Sequence, residues 1–288
     1  MTFLNTFFGW AVDNNIRHDN PATKVAVAMP KGFHKRDQRD PFTVERLTRL
    51  FAAPIFTGCA TPGRPYTPGD YRIRDHRYWV PLVALFSGAR ANELGQMEIA
   101  DVLQRAGIWC LHITTQSDHD DPEDEKHIKT SAGRRLVPVH PELVRLGFLE
   151  YVEERRVAGD RRVFPDWNKG ADETYSSIFG KFFNDRLLKK LGIKTRKIVF
   201  HSLRHSFMDA MRDAGIQDAI KKAIIGHADA SVTALYGSGE PIRRLYDAVR
   251  RINYEGLDLS HLYAVSVAPR SVSERTDAKR SCETESVA

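Results

Sequence analysis

The chain is poor in cysteine and has no long apolar run, and these two shortages exclude several classes of protein. Its three cysteines, Cys59, Cys110 and Cys282, are odd in number and widely separated, with no Cys-x-x-Cys spacing. They predict reduced thiols in a cytosolic protein rather than a disulfide framework or a structural zinc site. No stretch reaches the roughly 18 apolar residues that a membrane span needs, and no basic leader opens the sequence. We therefore expect neither secretion nor membrane insertion.

The composition favours a globular protein with a polyanionic partner. Of the 288 residues, 42% are apolar, which is enough for one large domain or for one domain with a smaller attachment. The chain has 43 Lys and Arg against 37 Asp and Glu, a formal net charge of +6. Such a charge favours nucleic acid as a partner without requiring it.

Hydrophobic periodicity predicts a mainly helical α+β protein. Helical spacing of apolar residues predicts helices over 3–12, 44–51, 79–86, 141–156, 175–191, 202–214, 217–225 and 231–236, and a further one that begins near Ala89. Thr43 and Ser202 are the expected N-caps of two of them. Alternating patterns predict strands over 108–114 and 135–139, which would form a small antiparallel sheet. Residues 52–76 are rich in Pro and Gly and predict a loop.

Residues 201–205 place two imidazoles and a guanidinium at the start of a predicted helix. An anion there would meet the side chains of His201, Arg204 and His205 together with the positive end of the helix. A surface arginine beside two partly packed histidines would have the same sequence. A metalloprotease zinc site needs Glu after the first of two histidines four residues apart, and Ser202 stands at that position. We therefore expect no metal here.

Downstream, a histidine and a tyrosine could join the same site. His227 follows Gly226 at the end of a predicted helix, and Tyr236 comes nine residues later. An imidazole can donate to a phosphate oxygen and a phenol can attack phosphorus, although a helix cap and a packed tyrosine are ordinary alternatives.

Two further cations lie upstream, each with an ordinary alternative. Arg90 follows the point at which a buried helix ends, and Glu93 is an obvious ion-pair partner three residues later. Lys129 comes shortly after the acidic residues 118–125, where a lysine is commonly a solvated counter-charge.

Four motifs nevertheless occur in the order and at the separations of one known family. They are Gly-Ala-Arg-Ala-Asn-Glu-Leu at 88–94, Lys-Thr at 129–130 before Arg-Leu-Val-Pro at 135–138, His-Ser-Leu-Arg-His at 201–205, and Gly-His at 226–227 before Leu-Tyr at 235–236. Thr233 lies three residues before Tyr236. Over residues 41–255 the chain resembles the tyrosine recombinase (phage integrase) family. The resemblance implies the catalytic-domain fold of that family.

The resemblance also implies which residues act on a DNA phosphodiester. Arg90 and Arg204 would hold the scissile phosphate, and His227 would donate a further hydrogen bond to it. Tyr236 would be the nucleophile and would form a 3′-phosphotyrosyl intermediate. No cofactor or metal is implied, because preorganised cations stabilise the developing charge.

Three more residues have implied supporting roles. Lys129 would protonate the leaving 5′ oxygen, with Lys126 as the alternative because it lies only three residues away. His201 would accept a proton, and Glu93 would support Arg90 from behind.

The implied partner is double-stranded DNA, bound by a homotetramer on paired sites in the cytoplasm, in association with the nucleoid. A basic run before residue 201 is the candidate for contacts with the DNA backbone, although a soluble helix end has a similar composition. The run consists of Lys189, Lys190, Lys194, Arg196 and Lys197.

The sequence predicts three segments. Residues 1–40 resemble the last helix of a core-binding domain and its linker, a remnant of such a domain. Residues 41–264 would form the catalytic domain. Residues 265–288 lose apolar content and predict a disordered tail.

The expected function is that of a site-specific recombinase or integrase of a mobile element. Two alternatives remain open. The first is a type IB topoisomerase-like enzyme that relaxes DNA with the same tyrosine chemistry, and the second is a DNA-binding relic that no longer cleaves.

Overall fold

A computed structural model of the chain describes residues 2–23, 39–115, 126, 133–226 and 239–263. It divides the chain into two compact units, Met1–Gln38 and Arg39–Ala288. In the first unit, helix α1 (Thr2–Asp13) confirms the helix predicted over 3–12. The turn after it is fixed by the Asn20 amide, which donates to the backbone oxygen and the side-chain oxygen of Asn5 at 3.0 and 2.8 Å.

The second unit is mainly helical. Its described helices are α2 (Val44–Phe51), α3 (Pro54–Thr57), α4 (His76–Ser87), α5 (Ala91–Gly95), α6 (Pro141–Arg145), α7 (Phe148–Val157), α8 (Tyr175–Gly180), α9 (Leu188–Lys190), α10 (Ser202–Asp213), α11 (Asp218–Ile225) and α12 (Gly239–Val249). A π-helical stretch, Lys181–Leu187, joins α8 to α9. Short 3-10 helices cover Ile99–Asp101 and Ser260–Leu262. No helix in the described part of the chain is long and apolar enough to cross a membrane.

The small sheet has three antiparallel strands. They are β3 (Val102–Arg105), β4 (Ile108–Ile113) and β5 (Arg135–Pro138), in the order β3-β4-β5, with Leu111 opposite both Val102 and Val137. The hairpin of β4 and β5 confirms the two predicted strands. Strand β3 was missed, and it is joined to β4 by a tight turn in which Ala106 and Gly107 have φ values of 52° and 75°. Two consecutive residues of this kind match the twist of a two-residue hairpin.

Helix α4 is the centre of the core, which confirms the buried helix predicted over 79–86. It is buried along almost its whole length and packs against α10. Gly88 ends α4 in the left-handed conformation with φ 65°, and a Cβ there would lie 2.6 Å from the Phe207 ring of α10. The two helices therefore approach closely at the point where the chain leaves α4 toward Arg90.

Helix α2 confirms the predicted cap and apolar stripe. The Thr43 hydroxyl accepts from the backbone N–H of Arg46 at 3.3 Å, and Leu47, Leu50 and Phe51 are buried. Just before the helix, the backbone N–H of Phe42 donates to the Ser206 hydroxyl of α10 at 2.8 Å.

The loop predicted over residues 52–76 is wrong in part. It contains α3 and a two-stranded antiparallel hairpin of β1 (Cys59–Thr61) and β2 (Arg64–Pro68). Pro54 occupies the first helical turn, where the fixed φ of proline favours a helix. In this segment proline begins a helix, and proline and glycine form the turn of a hairpin, so these residues do not exclude regular structure.

Two helix predictions also need correction. The helix predicted over 141–156 is broken into α6 and α7, because Gly147 adopts φ 85° between them. Ser202 is the first residue of α10, and His201 takes the cap position. The Ser202 hydroxyl instead donates to the backbone oxygen of Lys197 at 3.2 Å. The helix predicted over 231–236 and the tail 265–288 lie outside the described residues.

Candidate active site

Arg90 and Glu93 form the first part of the site, at the start of α5. Arg90 occupies the N-cap position, and its backbone N–H donates to Glu93 Oε2 at 2.8 Å. The Arg90 guanidinium also donates to Glu93 Oε1 through Nη1 at 2.6 Å. Glu93 is buried, whereas 30% of the Arg90 side chain is exposed. The carboxylate therefore holds Arg90 from behind and leaves its outer face accessible.

A second arginine, Arg135 of β5, contacts the same carboxylate. Its Nη1 and Nη2 donate to Glu93 Oε1 and Oε2 at 3.2 and 2.8 Å. Burial would raise the pKa of Glu93, but the charge and hydrogen bonds of Arg135, followed by those of Arg90, outweigh it and lower that pKa to about 2. The carboxylate is therefore ionised at neutral pH.

Arg135 belongs to the Arg-Leu-Val-Pro motif at 135–138, but no role was predicted for it. The signal that could have found it is its position in an apolar strand, because a buried charge requires a partner.

Arg204 lies in the first turn of α10 and is 3% exposed. Its Nη1 donates to the backbone oxygen of Gly88, and its Nη2 donates to that of Ile225 at 2.6 Å. Burial, and then repulsion by Arg90 and Arg135, lowers the pKa of Arg204 to about 9. Arg204 stays charged at neutral pH. Because Glu93 offsets only part of this positive charge, the site favours an anion.

His201 precedes Arg204 by one turn, and its ring lies edge-on to the His205 ring with centroids 5.3 Å apart. The residue is exposed overall, but the protein removes water from part of its ring. This desolvation, followed by repulsion from His205, Arg204, Arg90 and Arg39, lowers the pKa of His201 to about 4. The imidazole is therefore neutral at pH 7 and has a lone pair that can accept a proton.

A groove of about 350 Å³ joins Arg90, Glu93 and His201. Two hydrogen bonds fix its walls. The backbone N–H of Ser176 donates to Asn92 Oδ1 at 2.8 Å and links α8 to α5. The backbone N–H of Phe200 donates to Asn184 Oδ1 at 2.7 Å and links the residue before His201 to the π-helical stretch. The structure thus brings Arg90, Glu93, His201 and Arg204 into one region.

Lys126 is committed to a different cluster. Its ammonium is 2.8 Å from Glu98 Oε2 and 2.7 Å from Asp101 Oδ2, and its side chain is 3% exposed. Arg161 pairs with the other oxygen of Glu98 at 2.9 Å. An ammonium held by two buried carboxylates is poorly placed to protonate a leaving oxygen, which disfavours Lys126 as the general acid.

Lys129, His227 and Tyr236 lie outside the described residues. Among the described residues, no group of three or more His, Cys, Asp or Glu side chains could hold a metal ion.

The basic run before His201 is partly paired with acids. Lys194 lies 3.0 Å from Asp185 Oδ1, and Lys197 lies 3.6 Å from Asp40 Oδ1. The remaining members are exposed, namely Lys189, Lys190 and Arg196. The run is therefore accessible, although two of its five charges already have acidic neighbours.

Comparison with known proteins gives a family match. The model of the phage integrase family matches residues 72–240. Among curated proteins, the tyrosine recombinase XerD of Proteus mirabilis is 23% identical over 240 residues, which cover 82% of this chain and 65% of that protein. The XerC-like tyrosine recombinase of Caldanaerobacter subterraneus subsp. tengcongensis is 21% identical over 253 residues, which cover 81% of this chain and 59% of that protein. The matches thus span about two thirds or less of these relatives.

Among solved structures, the integrase from mycobacterium phage Brujita aligns with a TM-score of 0.44 and 17% identity, over 90% of this chain and 73% of that one. The Tn1549 transposon integrase in complex with transposon right end DNA aligns with a TM-score of 0.47 and 18% identity, over 83% of this chain and 74% of that one.

Proposed function

We propose that this chain, which belongs to the phage integrase family, cleaves and rejoins DNA strands through a covalent 3′-phosphotyrosyl intermediate. The observation that carries the proposal is a groove lined by Arg90 and a neutral His201, with the charged Arg204 close enough for repulsion from Arg90 to lower its pKa. Three guanidiniums and one carboxylate leave an excess of positive charge there. A phosphodiester carries the charge and the oxygens that such a site binds.

In the cleavage step, the Tyr236 phenolic oxygen attacks phosphorus as the bond from phosphorus to the 5′ oxygen breaks. His201 accepts the phenolic proton, and Lys129 gives a proton to the departing 5′ oxygen. Arg90 and Arg204 stabilise the charge that develops on the non-bridging oxygens. The number of phosphoester bonds is unchanged, so rejoining requires no nucleotide cofactor.

Rejoining reverses the same step. A 5′ hydroxyl attacks the phosphotyrosyl group, and Tyr236 leaves with a proton returned from His201. If the hydroxyl belongs to another duplex, strands are exchanged. We propose that this happens on paired sites in a multimer, with four copies as the expected number, on DNA in the nucleoid.

The first prediction concerns the covalent intermediate. The protein should form an adduct with a nicked suicide substrate, from which the 5′ hydroxyl diffuses away, and Tyr236→Phe should form none. Denaturing electrophoresis with labelled DNA measures the yield. Tyr71→Phe is the matched control, because Tyr71 is 48% exposed and does not line the groove.

Each outcome has a distinct meaning. An adduct that survives in Tyr236→Phe would show that another residue is the nucleophile. Relaxation of supercoiled plasmid without site preference would favour the topoisomerase-like alternative. DNA binding without an adduct on any of a panel of attachment sites would favour a non-catalytic DNA-binding protein.

A further inference from the structure

Arg135 is a buried cation that does not face the groove. It lies in β5 with its side chain fully buried, and it makes four hydrogen bonds. Burying an ion pair costs desolvation free energy, and a well-packed apolar pair is often as stable. The position of Arg135 between two parts of the site therefore invites a functional explanation.

One side of the Arg135 guanidinium fixes Glu93. The two groups meet fork to fork, with Nη1 and Nη2 on the two carboxylate oxygens at 3.2 and 2.8 Å. A bidentate pair restricts rotation of the carboxylate as well as its position. The same two oxygens accept from the backbone and the guanidinium of Arg90. The orientation of Arg90 thus depends on a carboxylate that Arg135 holds.

The other side of Arg135 fixes the end of α11. Its Nε donates to the backbone oxygen of Ile224 at 2.8 Å, and Arg204 donates to that of Ile225 at 2.6 Å. The last carbonyls of a helix lack partners within the helix, so these two arginines satisfy them. Gly226 follows with φ 67° and leads directly into His227.

We propose that Arg135 is a positioning residue of the strand-cleavage site, which orients Arg90 through Glu93 and holds, through Ile224, the C-terminal end of α11, shortly before His227 in the sequence. This inference rests on the proposed function. Arg135 contributes no contact to DNA, because its side chain is fully buried. Its removal should therefore impair the chemical step and leave DNA binding nearly intact.

The test compares Arg135→Lys and Arg135→Met with the wild type in single-turnover adduct formation on the nicked substrate at saturating protein. Misplaced catalytic groups can slow a reaction up to about 100-fold, and we expect a loss of about 10- to 100-fold for both variants. The Kd for DNA should change less than about twofold, and its salt dependence should not change, because the number of neutralised phosphates is the same. Lysine keeps the charge but cannot make the bidentate contact.

Arg162→Lys is the matched control. Arg162 is a partly buried arginine that, like Arg135, donates to backbone oxygens, here those of Pro165 and Trp167, and it does not line the groove. It should lose stability without the selective loss of cleavage. In a mutant cycle, Arg135→Lys should slow cleavage less in the Glu93→Gln background than in the wild type, because part of its effect reaches Arg90 through Glu93. Wild-type cleavage rates in folded Arg135→Lys would overturn the proposal, as would equal losses of binding and cleavage.

A readout without activity separates this inference from the proposed function. If the wild type forms no adduct, the proposed function fails, and nitrogen-15 NMR of the arginine side chains in the free protein decides the inference. Arg90 signals should show restricted guanidinium rotation in the wild type and averaged rotation in Arg135→Lys. Identical Arg90 signals in the two proteins would overturn the proposal.

Discussion

Replacing Gly226 by alanine should destabilise the protein more than the same replacement at Gly215. Both glycines follow a helix in the left-handed conformation, Gly226 after α11 with φ 67° and Gly215 after α10 with φ 62°. Alanine should cost each site about 1–2 kcal/mol for this backbone conformation alone. The two sites differ in what a new methyl group would meet.

At Gly226 the methyl would meet the arginine proposed to position the site. A Cβ there would lie 3.0 Å from both Cδ and Nη1 of Arg135 and 3.3 Å from the Cα of Gly133. Arg135 cannot move aside without weakening its bonds to Glu93 and Ile224. Overpacking of this kind costs about 1–3 kcal/mol. At Gly215 the nearest atom is Nη2 of Arg251 at 3.7 Å, an ordinary contact.

The assay is urea denaturation of both variants, followed by circular dichroism. We expect the free energy of unfolding to fall by about 2–5 kcal/mol in Gly226→Ala and by about 1–2 kcal/mol in Gly215→Ala. Adduct formation at a temperature where both are folded should fall only in Gly226→Ala. Equal destabilisation at the two sites would refute the close contact with Arg135. A normal cleavage rate in folded Gly226→Ala would show that the exit from α11 tolerates displacement.

Two buried ionisable groups, His140 and Lys126, should affect the free energy of unfolding. Burial lowers the pKa of His140 to about 4, below its ordinary value of 6.5, so as the pH falls the unfolded chain takes up a proton before the folded chain does. The free energy of unfolding should therefore fall by about 3 kcal/mol between pH 6.5 and pH 4. Urea denaturation across this range should show a weaker pH dependence of stability in His140→Asn, and an unchanged pH dependence would contradict the role of His140. Lys126→Met should lower the free energy of unfolding by about 3–5 kcal/mol, because it leaves the carboxylates of Glu98 and Asp101 buried without the ammonium between them. In urea denaturation, adding Asp101→Asn should restore part of this stability, and a loss below about 1 kcal/mol in Lys126→Met would contradict the buried cluster.

Local chemistry allowed much of the fold to be predicted. Gly226 was expected at the end of a helix, and it ends α11 in the left-handed conformation that glycine adopts most readily, as Gly88 does after α4. The strands β4 and β5 followed from alternation, and α2 from its threonine cap. In each case the determining residues lie within a few positions of one another.

Much of what could not be predicted depends on contacts between distant residues. Arg135 meets Glu93 across 42 positions and Ile224 across 89, and spacing in the sequence contains no such information. The β1–β2 hairpin is stabilised by backbone pairing of Cys59 with Pro68 and Tyr71. The high Pro and Gly content of this segment had led to the prediction of a loop. Lys126 was predicted only as the alternative to Lys129 for the general acid, and its burial between Glu98 and Asp101 depends on residues 25 or more positions away.

The close approach of α4 and α10 at Gly88 has a consequence for the energetics of the site. Gly88 lies against the Phe207 ring and its carbonyl accepts from Arg204, so packing of the core holds Arg204 close enough to Arg90 for the two like charges to repel. Hydrophobic association of the two helices therefore keeps the Arg204 and Arg90 guanidiniums close together, although their repulsion would drive them apart in water. A phosphate bound as proposed would offset this repulsion, so part of its affinity would originate in the packing of Phe207, a buried side chain that the phosphate would not touch.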